Sequence, residues 1–391
     1  MNYEEGPFSE TKSILKQSES ETAELVKALS NAFGPSGLED EVRNIISEEL
    51  ASEEFEQAVD SIGNLYVRSA NSDQSPKILL DAHMDEVSMM VQDIDSNGLI
   101  TFLPLGGWNP GVLAGTAVAI QSTQESGEPI VGIIGSNPVH FQNTQGNSVA
   151  DNSSLRADIG AISDTEVLMD GIDLGNFMVP ATCCTYDSKR RLFTGKAFDD
   201  RIGCAAQILT LENLPQQMKS FVEGVFTVQE EVGERGMMAA VSNLQDCALA
   251  ICFEGCPADD TIPGIERPQT AMNSGPMIRA MDRSMITHPQ WLAFARSCAW
   301  LDPVNLQIAV RKGGGTNGGI LHTHNIPTIV IGIPVRYAHS PIGFCSMNDL
   351  ENAVKLALTI IKEAWRLSHE DCADEELKPY EQWIRQILSA E

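Results

Sequence analysis

Four apolar runs in this 391-residue chain stop at an acid or a histidine. "KILLDAHMDE" delivers His83 and Asp85, "VFTVQEE" delivers Glu230 and Glu231, "ALAICFE" delivers Glu254, and "TIVIGIPVRYAHSP" carries on to His339. Helical patterns alternate with these runs, which predicts strands of an α/β sheet, and ligands of such sheets bind outside the carboxyl ends of the strands. A fifth element, "GKAFDDRIG", sets Asp199 and Asp200 just before a predicted helix. Each residue alone has an ordinary reading. A His-x-Asp at a strand end is a hydrogen-bonded pair, an acidic pair before a helix is an N-cap, and His339 beside Ser340 and Pro341 is turn chemistry. Acids and imidazoles brought to one edge of one sheet are a site.

Glu230 and Glu231 raise a further question, because adjacent side chains on an extended strand point to opposite faces. The expectation is one acid on each side of the strand end, one free to bind a ligand and the other left to act as a base.

The rest of the chain sets the frame. Helices are predicted around 21–33 and 37–50, the second opened by a capping box of Ser36 and Glu39, with Leu38, Val42, Ile45, Ile46 and Leu50 on one face. From about 90 to 190 the texture changes to short β-like pieces such as "LITFLPL", "TAVAIQS" and "PIVGIIG", separated by Gly, Pro, Asn and Ser. That pattern predicts a small all-β domain inserted into a larger α/β one. The expected organisation is an arm at 1–20, an α/β domain at 21–90 and 190–391, and the insertion at 91–189.

Charge narrows the partners. The chain has 26 basic and 54 acidic residues, a net charge of −28, which argues against nucleic acid and anionic membrane and favours cations. No apolar run approaches the ~20 residues of a membrane span, and the acidic N-terminus lacks the pattern of a signal peptide. The nine cysteines include no CxxC pair, so reduced thiols and a cytoplasmic location are expected. "KGGGTNGG" at 312–319 lacks the ending of a phosphate-binding P-loop.

Two histidines with several carboxylates and no thiolate form a donor set suited to Zn, Co or Mn. Counting favours two ions. A shared carboxylate with one His and one further acid on each side serves a pair ~3.5–4 Å apart and leaves one glutamate over as a base.

"DAHMDEVSMMV", "LGGWNPGVLAG", "GKAFDDRIG", "TVQEEVGERG", "GGGTNGG" and "PVRYAHSP" occur in that order. Together they resemble the glutamyl aminopeptidase family of dinuclear metallopeptidases, whose members often form tetrahedral dodecamers (TET particles). The resemblance runs from "LSNAFGPSGLEDEV" to the last apolar helix, leaving out the first residues and the acidic "HEDCADEELKPYEQW" tail. It implies a mixed-sheet α/β domain with a barrel-like insertion for assembly. It also implies two divalent ions per chain, Zn or Co with Mn as a further candidate, and short peptides as substrates. His83 would bind the first ion with Glu254, and Asp85 would orient that imidazole. Asp199 would bridge the ions, Glu231 and His339 would complete the second site, and Glu230 would be the general base on a metal-bridged hydroxide. Three positions depart from the family pattern: Glu254 stands for a usual Asp, "GGGTNGG" for GGGTDAG at Asn317 and Gly318, and Ser88 for a usual Gly. A family member with a degraded, non-catalytic site and a glycoside hydrolase of the endoglucanase type are the rival readings. The glycosidase has no use for two histidines at metal positions.

Overall fold

The computed structural model describes residues 15–70, 77–124, 127–136, 155–244, 247–369 and 376–389. The arm expected at 1–20 lies outside the described residues up to residue 14. Helix α1 (Glu19–Asn31) opens on a capping box in which Ser18 accepts from the Glu21 amide and the Glu21 side chain reaches back. Helix α2 (Asp40–Glu49) buries Val42 and Ile46. It does not use the predicted box. Glu39 is its N-cap residue and makes no side-chain cap. Ser36 Oγ donates to Asp85 Oδ2 at 2.5 Å, and Glu39 Oε1 accepts from the Gly37 and Gln229 amides. Buried partners elsewhere in the fold have taken both side chains from the helix.

Strands β1 (Phe55–Val59), β2 (Leu65–Ser69) and β3 (Ile78–His83) follow. The chain then leaves the main sheet through β4 (Ser88–Ile94), β5 (Ile100–Leu105), β6 (Ala117–Ile120), β7 (Ile130–Gly135) and β8 (Arg156–Asp158). After a six-residue helix α3 (Asp164–Met169) comes β9 (Phe177–Pro180). These strands close into an antiparallel barrel in the order β4-β5-β8-β7-β6-β9. Along β6, Val118 and Ile120 point inward while Ala117 is exposed, and along β7 Ile134 is buried while Val131 and Ile133 face out. Met89, Phe102, Leu113 and Met178 complete the barrel core, where each fully buried large side chain contributes ~1.5–3 kcal/mol. The short α3, capped by Ser163, and a three-residue 3-10 turn at Pro110–Val112 depart from an all-β insertion; neither is long enough to leave a periodicity to read.

The chain returns through β10 (Thr185–Asp187) and β11 (Leu192–Gly195) to helix α4 (Phe198–Asn213) and β12 (Val222–Thr227). Helix α5 (Arg235–Ala240), β13 (Leu249–Pro257), β14 (Met277–Met281), helix α6 (Pro289–Leu301) and β15 (Gln307–Val310) come next. Helix α7 (Asn317–Thr323), β16 (Thr328–Arg336), β17 (Gly343–Ser346), helix α8 (Met347–His369) and helix α9 (Pro379–Leu388) end the chain. The main sheet is mixed, in the order β1-β2-β12-β3-β13-β16-β17-β11-β10, with β14 on β16 and β15 on β14. Its centre is parallel: β12, β3, β13 and β16 run the same way and point their carboxyl ends at one edge. Those strands are buried on both faces, as parallel strands are when helices cover each side. Leu80, Ile251 and Ile331 pack in the core with α1, α4 and α8, and their neighbours Leu79, Ala250 and Val330 pack on the opposite side with α5 and α7. Helix α9 lies in the acidic tail, where the Trp383 ring meets Trp291 of α6. No described helix is long and apolar enough to cross a membrane.

Candidate metal centre

His83 is the last residue of β3, and its register partner on β12 is Thr227. Strand pairing of β12 stops there, so Glu230 and Glu231 are not on a strand. The expectation of two acids on opposite strand faces is corrected. Gln229 takes a left-handed φ of 54°, and the chain turns. The turn is shaped by Asp85, whose Oδ1 accepts from the Glu230 amide at 2.9 Å and whose Oδ2 accepts from the Glu231 amide at 3.1 Å. The two glutamate side chains then diverge. Glu230 Oε2 comes to 3.8 Å from His83 Nε2, and Glu231 Oε1 to 3.3 Å from His339 Nε2.

Asp199 lies between the histidines. Its Oδ1 is 3.4 Å from His83 Nε2 and its Oδ2 is 3.1 Å from His339 Nε2, one oxygen per imidazole. Asp200 has the other job. It accepts from the Gly203 amide, capping the helix, and from the His83 amide, tying that helix to the end of β3. Both acids have non-helical backbone angles, and the regular helix begins after them. Glu254 pairs with Gly332 of β16, beyond the last β13–β3 partners, Cys252 and Asp81, and so overhangs the carboxyl edge of β3.

Among the described residues two groups gather tightly enough to hold an ion: His83 with Asp199 and Glu231, and His83 with Asp200 and Glu254, the offered atoms of each group within 4.8 Å of one another. The acid gathered with Glu254 is thus Asp200. His83 Nδ1 faces Asp85 Oδ1 at 3.3 Å and the Asp85 carbonyl at 3.1 Å, which leaves Nε2 toward the centre. His339 Nδ1 meets the Gly107 carbonyl at 2.8 Å, leaving its Nε2 toward Asp199. Gly107 sits on the loop between β5 and β6, so the barrel orients this imidazole. A Cβ at 107 would lie 3.2 Å from His339 Nδ1.

The charge balance asks for a cation. Burial pushes Glu231 up to about 8 and, with the nearby Asp199 charge, Glu254 up to about 8. Burial also holds Glu230 well above the carboxylate range. Burial opposes charge on the histidines, yet Asp199 and Glu231 carry His339 up to about 10, and Asp199 and Asp85 hold His83 well above its usual range. Asp199 Oδ1 and Glu231 Oε1 are buried with no hydrogen-bond partner. Orphaned carboxylate oxygens among carboxylates that resist ionising, beside imidazoles drawn toward positive charge, fit a divalent cation.

The family model described as M42 glutamyl aminopeptidase matches residues 63–356. The chain belongs to the M42 glutamyl aminopeptidase family. It is 30% identical over 345 residues to the glutamyl aminopeptidase of Lactococcus lactis, covering 86% of this chain and 94% of that one. It is 29% identical to the lysyl aminopeptidase of Pyrococcus furiosus, covering 87% of this chain and 96% of that one. A TET aminopeptidase from a marine sediment Thaumarchaeota archaeon superposes with a TM-score of 0.81 at 34% identity, covering 88% and 97% of the two chains. The TET1 peptidase of Pyrococcus horikoshii, which can assemble into a tetrahedron or a large octahedral shell, superposes at 0.76 with 28% identity, covering 87% and 99%. The M42 chain is an aminopeptidase, a hydrolase acting on peptide amino termini.

Asp81, Glu86, Lys196 and Arg201, around the M42 site, escaped sequence reasoning, and the structure gives Asn317 and Ser88, already noted as departures, their surroundings. Asp81, in the middle of β3, is buried, and burial raises it to about 6. Asn317 Nδ2 donates to Thr227 Oγ1 at 2.7 Å and lies 3.3 Å from Asp81 Oδ1. Asn317 is therefore a buried donor behind the strand ends, and an acid there would set a second carboxylate against Asp81. Lys196 and Arg201, on either side of the Asp199–Asp200 pair, both bind Glu86, and all three are buried. An acid inside an apolar strand and two cations flanking two acids were the available signals. Ser88 Oγ is buried with no hydrogen-bond partner.

Proposed function

We propose that this aminopeptidase is metal dependent and removes N-terminal residues from short peptides using two divalent ions per chain. His83 and Glu254 would hold the first ion, Glu231 and His339 the second, and Asp199 would join them. The observation that carries the reading is the placement of Asp199, which turns one oxygen toward each imidazole and leaves Oδ1 without a hydrogen-bond partner. Zn, Co and Mn all suit this nitrogen and oxygen donor set. When bound, such ions polarise a carbonyl and bring the pKa of water near neutrality.

The chain's own residues do the rest. Asp85 receives the two amides of the glutamate turn and faces His83 Nδ1, fixing that ring's tautomer and leaving Nε2 free as a donor. The Gly107 carbonyl does the same for His339. Glu230 Oε2, nearly 4 Å from His83, stands beside the donors without pairing with either histidine as closely as Asp199 does. It takes the proton from the attacking water and passes it to the departing amine. The surrounding carboxylates offer the protonated amino terminus of a peptide a partner, which favours action at chain ends. The barrel, with residues 91–189 as the assembly domain, is read as joining copies into a homo-oligomer of the TET type.

The test is metal analysis after chelation and separate restoration of Zn, Co and Mn, with activity followed on a panel of aminoacyl chromogenic substrates. Close to two ions per chain are expected, and His339→Ala should lose mainly one. No more than one ion in the intact protein after reconstitution overturns the dinuclear site.

A further inference from the structure

We propose that Ser36 and Glu39, in the turn before α2, are positioning residues for the paired glutamates: they hold Asp85 and the 228–231 turn in working geometry without touching the reacting atoms. The inference rests on reading Glu230 as the proton carrier and Glu231 as a metal ligand.

The glutamate turn is held through side chains. After β12 ends at Thr227, four successive amides are bound by side chains. Val228 donates to Asn64 Oδ1 at 3.0 Å, Gln229 to Glu39 Oε1 at 3.1 Å, Glu230 to Asp85 Oδ1 at 2.9 Å and Glu231 to Asp85 Oδ2 at 3.1 Å. Gln229 is also the residue of the turn with the left-handed φ, a backbone conformation that residues other than glycine adopt at a cost and keep where their surroundings hold it. Glu39 enforces it directly. Ser36 acts one step away, because its hydroxyl donates to the same Asp85 oxygen that receives the Glu231 amide.

This segment is anchored firmly enough to serve as a template. The Gly34 carbonyl accepts from Arg201 Nη2 at 2.9 Å and from the Glu86 amide at 3.0 Å. A Cβ at Gly34 would meet Arg201 Nη2 at 2.5 Å, so only glycine allows that approach. Pro35 bridges to Glu86, the residue after Asp85. The helix gains little from the arrangement, since Ser, Thr, Asp or Asn is the usual N-cap and Glu39 supplies no side-chain cap at all. Its carboxylate is committed to Gly37 and Gln229, and it is buried.

Because both amides reach Glu39 through the same oxygen, the carbonyl of glutamine can replace it. Glu39→Ala should lower kcat by ~10–100-fold, as small misplacements of reacting groups do. KM should stay within roughly threefold, bound metal should be retained, and amide hydrogen exchange across 228–231 should quicken. Glu39→Gln should restore kcat and slow exchange. Ser36→Ala, which removes a single donor, should show a smaller loss of kcat with metal retained, and it stands in if Glu39→Ala does not fold. Wild-type kcat and exchange in Glu39→Ala, or in Ser36→Ala where that variant is the one tested, overturns the proposal. So does an equal loss in Glu39→Gln and Glu39→Ala, which would assign Glu39 a role through its charge. Glu230→Gln run alongside keeps the premises separate. Full activity there refutes the proton-carrier reading, whereas an inactive Glu230→Gln beside an unaffected Glu39→Ala refutes the positioning role alone.

Discussion

The main sheet and the barrel solve the same burial problem in opposite ways, and only one solution gathers acids and imidazoles at a single edge. In the main sheet four parallel strands are covered on both faces and all end at the same edge, where the chain emerges from the core and acids and imidazoles gather. In the barrel, antiparallel neighbours reverse direction at every step and closure leaves no such edge, so inward positions are apolar and outward ones face solvent. Among the described residues the barrel meets the candidate centre at the loop whose Gly107 carbonyl holds His339.

The sharpest break in that comparison is at the edge of the main sheet. Glu230→Gln keeps shape and hydrogen bonding but cannot accept a proton, so kcat should fall by ~10²–10⁴ with both ions retained. Glu231→Gln should lose metal at the second site first, since an amide is a poor substitute for an anionic ligand. Metal content and kcat measured side by side decide the assignment. If Glu230→Gln loses metal and Glu231→Gln keeps it, the two glutamates have each other's roles.

The next effect concerns stability. Arg201 is fully buried, and its guanidinium donates to the Leu29 and Gly34 carbonyls and to Glu86. Arg201→Met leaves Glu86 paired with Lys196 but takes a charged donor from the buried Leu29 and Gly34 carbonyls, which should cost ~2–5 kcal/mol at ~1–3 kcal/mol for each group left short of a partner. Among the described residues the barrel buries no charged side chain; its equivalent weakness is the cavity that truncating a core side chain would open. Phe102→Ala should cost about as much, ~3–5 kcal/mol, but through the barrel. Denaturant unfolding with activity followed in parallel separates them: Arg201→Met should lose metal binding as it loses stability, and Phe102→Ala should not.

These contrasts also explain how far the sequence could be read. Apolar runs ending in His83, Glu231, Glu254 and His339 announce a parallel sheet with a polar edge, because strands buried on both faces read as nearly continuous apolar runs that end where the chain leaves the core; Asp81 inside β3 is the buried acid that interrupts this pattern. The interrupted texture before residue 190 announces a β insertion for a similar reason. What the sequence hid were contacts between distant segments. Ser36 and Glu39 match a helix-capping pattern, and only the folded chain brings Asp85 and Gln229 close enough to take them. The opposed-face argument for Glu230 and Glu231 failed because side-chain alternation requires an extended backbone, and after β12 ends at Thr227 the chain turns through the left-handed Gln229. Local rules fail at this edge because the site imposes its own hydrogen bonds on the backbone.

A milder test targets the loop that joins the two regions. Gly107→Ala places a methyl 3.2 Å from His339 Nδ1, tight enough to tilt the ring or lengthen its bond to the carbonyl. Losing a partner that orients a metal-binding histidine costs ~10–100-fold in affinity. The second site should therefore need more metal for full occupancy, and the first should be unaffected. A metal titration that shifts both sites equally, or neither, would remove the barrel from the chemistry.

The smallest effect on the folded chain is expected where the barrel meets solvent. Val131 and Ile133, on β7, are 65% and 54% exposed, and Leu103 on β5 is 51% exposed. Replacing a residue that touches little usually changes stability by no more than ~0.5 kcal/mol, with a small further penalty for an acid on a strand. Val131→Asp and Ile133→Asp should leave the unfolding midpoint and the kcat of each chain nearly unchanged. If the barrel joins the copies, the same substitutions bury charge in an apolar contact, and light scattering should show smaller particles. Trp300, 79% exposed at the end of α6, is the matching probe on the α/β domain. Should Trp300→Asp dissociate the particle while the β7 substitutions leave it whole, assembly belongs to the α/β domain, and the barrel's role contracts to the loop that holds His339.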